Sequence, residues 1–158
     1  MTEDTLPPSG PNLAQIGLGQ YPPYLMNRIM GRYNAMLRAE MAELGLTTPK
    51  MRALAVLSVV EGALVGELAV LTVVEQSTLS RALDQLQGDG LVGRAADGRD
   101  NRAVRITITD AGRRVFDGLW PHMAAAQARM FRGIPDAEQR AFVGTLHKML
   151  ANIKRQGI

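Results

Sequence analysis

Between residues 75 and 108 the hydrophobic period of the chain changes, and that change restricts the fold more than any other feature. Across Glu75-Gln76-Ser77-Thr78-Leu79-Ser80-Arg81-Ala82-Leu83-Asp84-Gln85-Leu86-Gln87, the residues Leu79, Ala82, Leu83 and Leu86 fall at i, i+3, i+4 and i+7. That is the stripe of a helix buried along one side. Gly88 and Gly90 close it. Past Leu91-Val92-Gly93-Arg94, the residues Val104, Ile106 and Ile108 alternate with Arg105 and Thr107, the period of a half-buried strand. Asp97-Gly98 and Arg99-Asp100-Asn101 supply turn chemistry between the two runs, so the pattern predicts an antiparallel hairpin with a polar, arginine-bearing tip.

Upstream, Leu64, Leu68 and Leu71 predict a short helix over 64–71, followed by a turn at 72–74. A short helix, a tight turn and a second helix with a polar outer face make a helix-turn-helix. With the apolar stripe turned inward, Gln76, Ser77, Ser80, Arg81, Asp84 and Gln85 face outward. Short hydroxyl and amide groups with one arginine enter a major groove without bulk and reach base edges and phosphates. Gln76, Ser77, Thr78, Ser80, Arg81 and Gln85 are therefore the candidate DNA-binding residues of the helix. The hairpin becomes a wing, with Arg99 and Arg102 suited to the narrow, electronegative minor groove.

The remaining chain reads as helices. Leu25, Ile29, Met36 and Leu37 predict one from residue 24 to about 44, ended by Gly45. Thr48-Pro49 opens another, with Thr48 as N-cap, which carries Met51, Leu54, Ala55, Leu57, Val59 and Val60 and stops near Gly62. Thr109 caps a helix from Asp110 to about residue 131, bent or interrupted near Pro121. After Gly133 to Pro135, Phe142, Leu146, Met149, Leu150 and Ile153 share one face of a last helix. Residues 1–23 hold five prolines (Pro7, Pro8, Pro11, Pro22, Pro23) and three glycines, and predict a flexible, extended N-terminal arm. The expected fold class is mainly α with a small β-hairpin wing.

Composition narrows the chemistry. The chain has 158 residues and no cysteine, which excludes disulfides, thiolate metal sites and cysteine-based redox sensing. The two histidines, His122 and His147, stand apart without carboxylates at metal-ligand spacing. No nucleophile–base pair or phosphate-binding glycine loop is visible, so neither an enzyme nor a cofactor is expected. No apolar run reaches membrane-spanning length and no signal sequence follows Met1, so the expected location is the cytoplasm. The net charge of +3 is compatible with nucleic acid without establishing it. Its distribution says more: within 91–105, Arg94, Arg99, Arg102 and Arg105 outnumber Asp97 and Asp100 by two.

Three stretches, in this order, resemble the MarR family of transcription regulators. They are Thr47-Thr48-Pro49; Ser77-Thr78-Leu79-Ser80-Arg81 through Asp89-Gly90-Leu91-Val92; and Asp97-Gly98-Arg99-Asp100-Asn101-Arg102 leading to Ile108-Thr109-Asp110-Ala111-Gly112. The likeness spans residue 24 to about 155. It implies a winged helix-turn-helix with a helical dimerisation region: residues 47–109 as the DNA-binding lobe, 24–45 and 110–158 as dimerisation helices. It implies that 75–87 is the recognition helix, that Asp100 and Arg102 form the wing's aspartate-x-arginine pair, and that the aspartate orients a nearby arginine. Asn101 stands where many relatives carry another arginine. It further implies a homodimer on a pseudo-palindromic operator, and the apolar face of the last helix supports one independently.

The family usually represses, and often answers small aromatic or phenolic molecules held between the dimer helices and the DNA-binding lobe. Met26, Met30 and His122 are the candidate effector residues here, although packing is the default reading of the nine methionines. Trp120 reads as core. The competing function is a winged-helix module that binds protein without specific DNA binding; wing arginines argue against it.

Overall fold

The computed structural model describes residues 10–100 and 102–155. The first nine residues, with Pro7 and Pro8, and Asn101 of the wing lie outside them. The chain divides into two compact units, residues 1–119 and 120–158.

The first unit contains the winged helix. Helix α1 (Leu13–Ile16) is followed by a 3₁₀ turn at Leu18–Gln20, then α2 (Pro22–Met36), α3 (Arg38–Glu43) and α4 (Thr48–Val59). Strand β1 (Ala63–Leu64) leads into α5 (Val65–Thr72) and α6 (Gln76–Gly88), and β2 (Val92–Ala96) and β3 (Val104–Ile108) form the wing. Helix α4 packs on α5, α6 and β3, and α6 packs on β2. Leu54, Leu68, Leu79, Leu83, Leu86 and Ile106 are fully buried and form the lobe's core. Each such side chain contributes about 1.5–3 kcal/mol of burial. The sheet order is β1-β3-β2, antiparallel throughout, with Val92 opposite Ile108 and Ala96 opposite Val104.

Several expectations change. The single helix expected over 24–44 is two. At Leu37, only 1% exposed, the backbone amide turns to the Asn34 carbonyl at 3.3 Å, a tighter i→i−3 bond that breaks the α ladder. The break is where the helix commits its most deeply buried side chain to the core. Within the described part of the arm, residues 13–16 and 18–20 are helical where composition predicts extended chain: Asn12 Oδ1 accepts from the Gln15 amide (3.0 Å), and Gln15 Oε1 accepts from the Asn12 amide (2.8 Å). This capping box fixes α1, and Gly17 at φ +80° ends it. Pro22 and Pro23 start α2 instead of preventing it, because the first turn of a helix needs no amide donor. Thr48 lies inside α4 and Thr47 is its N-cap, a one-residue shift. Strand β1 leaves no trace in the sequence pattern, since two residues carry no period.

The second unit holds the remainder of α7 (Asp110–Met130), a helix that runs on from the first unit, and α8 (Asp136–Arg155). Pro121 lies inside α7 without ending it. Gly133 at φ +80° reverses the chain, and Gln139 Nε2 donates to the Ile134 carbonyl at 2.8 Å. Phe131 and Phe142 meet edge to face, with ring centroids 6.3 Å apart. Along α8, Phe142, Val143, Leu150 and Ile153 remain exposed. No helix of the described residues is long and apolar enough to cross a membrane.

Candidate nucleic-acid interface

Helix α6 presents two chemically distinct faces. Leu79, Ala82, Leu83 and Leu86 are buried, as the stripe predicts. On the other side Gln76, Ser77, Arg81 and Gln85 are exposed, while Thr78 and Ser80 are half-buried. All six candidates therefore lie on the one helix, four of them exposed. Ser77 donates its hydroxyl to Glu75 Oε1 at 2.6 Å, which organises the helix entry. Asp84, also on the outer face, accepts from Arg94 Nη2 of β2 at 2.7 Å. That pair joins the helix to the wing and masks the acid nearest the middle of the reading face.

The wing tip is built from aspartates. Asp97 Oδ1 accepts from Arg105 Nε (3.2 Å) and from the Arg99 backbone amide (3.3 Å), and its own amide donates to the Ala103 carbonyl (2.9 Å). Asp100 Oδ1 accepts from the Arg102 backbone amide at 2.9 Å. Among the described residues, the four hairpin arginines divide into two that are paired and two that are not, and Asp100 stays at the tip with the second two. Arg94 pairs with Asp84 and Arg105 with Asp97. Among the described residues no carboxylate pairs with the Arg99 or Arg102 guanidinium, and both side chains are exposed at the tip. The resemblance gives the orienting role to Asp100. Here Asp100 holds the backbone of Arg102, and the aspartate that grips an arginine side chain is Asp97. The cross-strand register is the signal that finds this pair, since Asp97 follows the Ala96–Val104 pair and Arg105 lies diagonally across.

A second fastening lies inside the Thr109-to-Gly112 stretch. The Thr109 hydroxyl donates to the Gly90 carbonyl (2.7 Å) and accepts from the Gly112 amide (3.0 Å), and the Thr109 amide donates to the Leu91 carbonyl (3.1 Å). One threonine caps α7 and ties the return of the wing to the exit of α6. The approach is so close that a Cβ on Gly112 would fall 2.0 Å from the Leu91 oxygen.

The candidate effector residues divide between the units. Met26 is half-buried and Met30 exposed, both on α2 in the first unit; His122 is exposed on α7 in the second. Trp120, expected in the core, is 51% exposed. It sits at the edge of a wide-open depression of about 460 Å³ within the second unit, beside Gln127 and Phe131, and none of the three candidates lines it. The physical reason is positional: Trp120 follows the fully buried Leu119 directly, and on a helix adjacent residues point about 100° apart.

A helix-turn-helix with an amide- and hydroxyl-rich outer face, backed by a hairpin with two uncommitted arginines, defines a winged-helix DNA-binding protein. Residues 44–103 match the family model described as MarR family. A crystal structure of a MarR-family transcriptional regulator from Silicibacter pomeroyi is 62% identical, with a TM-score of 0.86 over 90% of this chain and 97% of that one. The chain belongs to the MarR family and is a DNA-binding transcription regulator. The transcriptional activatory protein BadR of Rhodopseudomonas palustris is 35% identical over 75% of this chain and 69% of its own length. CouR from Rhodococcus jostii RHA1, solved bound to p-coumaroyl-CoA, is 27% identical with a TM-score of 0.75, over 84% of this chain and 94% of that one.

Proposed function

We propose that this regulator works in the cytoplasm as a homodimeric, ligand-responsive repressor on a pseudo-palindromic operator. The observation that carries the reading is the pairing of charges on the winged helix: among the described residues, every arginine of the hairpin is tied to an acid except Arg99 and Arg102 at its tip. Those two hold the DNA backbone or minor groove, while Gln76, Ser77, Thr78, Ser80, Arg81 and Gln85 read bases in the major groove. Asp100 sets the backbone from which Arg102 projects.

The dimer is supported by apolar side chains left exposed on helices outside the winged helix: Leu25, Ile29 and Met30 on α2, and Phe142, Val143, Leu150 and Ile153 on α8. A second copy removes that surface from water, and symmetry then presents two winged helices to half-sites about one helical turn apart. The effector is a small aromatic or phenolic molecule. The likeness to CouR, solved with p-coumaroyl-CoA, supports that class, and Met26, Met30 and His122 are the residues to test first. Binding that favours a different spacing of the two recognition helices lowers affinity for the operator by the difference in its affinities for the two states.

Repression needs only occupancy of the promoter, whereas activation needs a further surface for the transcription machinery. The likeness to BadR favours activation as the second reading. Selecting duplexes from a random pool, with the mass of the bound species recorded, tests the core of the proposal. A two-chain species enriching a pseudo-palindrome supports it. A monomer enriching no duplex at low salt contradicts it and favours a protein-binding winged helix; a reporter behind the recovered operator then separates repression from activation.

A further inference from the structure

The turn between α5 and α6 uses an unfavourable residue. Val73 adopts φ +54°, ψ +47°, the left-handed conformation, and is the one described non-glycine residue at positive φ. The geometry is that of a helix C-terminal cap: the Val74 amide donates to the Ala69 carbonyl (3.2 Å) and the Val73 amide to the Val70 carbonyl (3.3 Å). Gly45 and Gly90 end α3 and α6 with the same pair of bonds and with glycine at the left-handed position. At residue 73 the side chain is β-branched, and 80% exposed, so burial of the valine does not compensate for the strain.

Something else holds this turn. Arg52, half-buried on α4, reaches across with Nη1 to the Thr72 carbonyl (3.4 Å) and the Val73 carbonyl (3.2 Å). A cation there meets the last carbonyls of α5 and the negative end of its dipole. The Thr72 side chain, buried, donates to the Leu68 carbonyl at 2.6 Å, so the end of α5 is fixed from inside as well.

We propose that Arg52 is a positioning residue for DNA reading: by gripping the strained Val73 turn from α4, it fixes the angle at which α6 leaves α5. The proposal rests on α6 being the helix that reads DNA. Val73 lies three residues before Gln76, so a small rotation at the turn displaces every reading residue together. Arg52 acts through the turn and contacts no DNA.

The test compares wild type, Arg52→Ala, Val73→Gly and the double variant, on the full chain with a duplex recovered by selection. Arg52→Ala is expected to lower affinity at least fivefold while leaving the slope of log K against log salt unchanged. Removing a residue that neutralised a phosphate would instead flatten the slope by about 0.9 for each phosphate it had neutralised. Amide exchange is expected to quicken at residues 73–77 and to stay unchanged in α8. Glycine removes the strain that Arg52 opposes, so the double variant is expected to bind nearly as tightly as wild type. If Arg52→Ala does not fold, a double variant that folds and binds supports the proposal, and one that fails as well contradicts it. A flattened slope, or unchanged exchange at the turn, overturns it. If wild type binds no duplex, the assignment of α6 falls, and exchange alone still decides whether Arg52 holds the turn.

Discussion

Gly112 shows how one atom can join two functional parts. Its amide donates to the Thr109 hydroxyl, and its missing Cβ leaves room for the Leu91 carbonyl that receives the Thr109 amide. An added methyl would meet backbone, which cannot swing aside as a flexible side chain can. Gly112→Ala is expected to cost about 1–3 kcal/mol of stability, the usual range for overpacking. Denaturant unfolding at fixed protein concentration checks this; an unchanged midpoint would mean that α7 can slide away from Leu91 at no cost. At the same scale, Asp97 and Asp100 divide the wing between them, one gripping the Arg105 side chain and the other the Arg102 backbone. Spacing in the sequence marks both as turn residues and does not distinguish their tasks, because the choice depends on strand register.

At the scale of elements, what is legible in the sequence follows from how long each pattern runs. Helix α6 and strand β3 carry complete periods, and both lie where the periods put them. Helix α8 contains the whole of its expected apolar stripe, from Phe142 to Ile153. Strand β1 is invisible in sequence because it is two residues long and pairs with a strand some forty residues away, Ala63 facing Ile106. The break at Leu37 is invisible for a different reason: tertiary burial of one leucine overrides an otherwise continuous helical stripe. In the site, five of the six residues expected on the outer face of α6 are exposed and Ser80 is half-buried, since helical geometry sets the face and neighbouring elements set its edge. The ion pairs Asp84–Arg94 and Asp97–Arg105 require the folded register. Helix α6 also carries its own prediction. Arg81 is exposed and free of any carboxylate among the described residues, so Arg81→Ala is expected to change preference among operator sequences by about 1–3 kcal/mol at one base position. Competition between single-base operator variants measures it, and a uniform loss across all variants would reassign Arg81 to the phosphates.

For the whole molecule, the proposed homodimer places its interface on the bare face of α8. Leu150 lies on α8 with half its surface exposed, among Phe142, Val143 and Ile153 that are similarly bare. Leu150→Asp places a charge on that face, and burying it unpaired costs several kcal/mol. The expected result is a one-chain species by mass and weakened binding to a two-half-site operator, with binding to a single half-site little affected. Persistence of the two-chain species would move the dimer interface off α8.

The salt dependence of operator affinity shows whether Arg99 and Arg102 of the wing anchor this regulator to DNA, as proposed. Wild type and the Arg99→Ala, Arg102→Ala double variant are compared by the slope of log K against log salt. If both arginines of each wing neutralise a phosphate, the variant's slope is shallower by about 1.8 per chain bound, at about 0.9 per phosphate, and affinity falls by a similar factor on every duplex. An unchanged slope and unchanged affinity would leave Arg99 and Arg102 without a part in DNA binding.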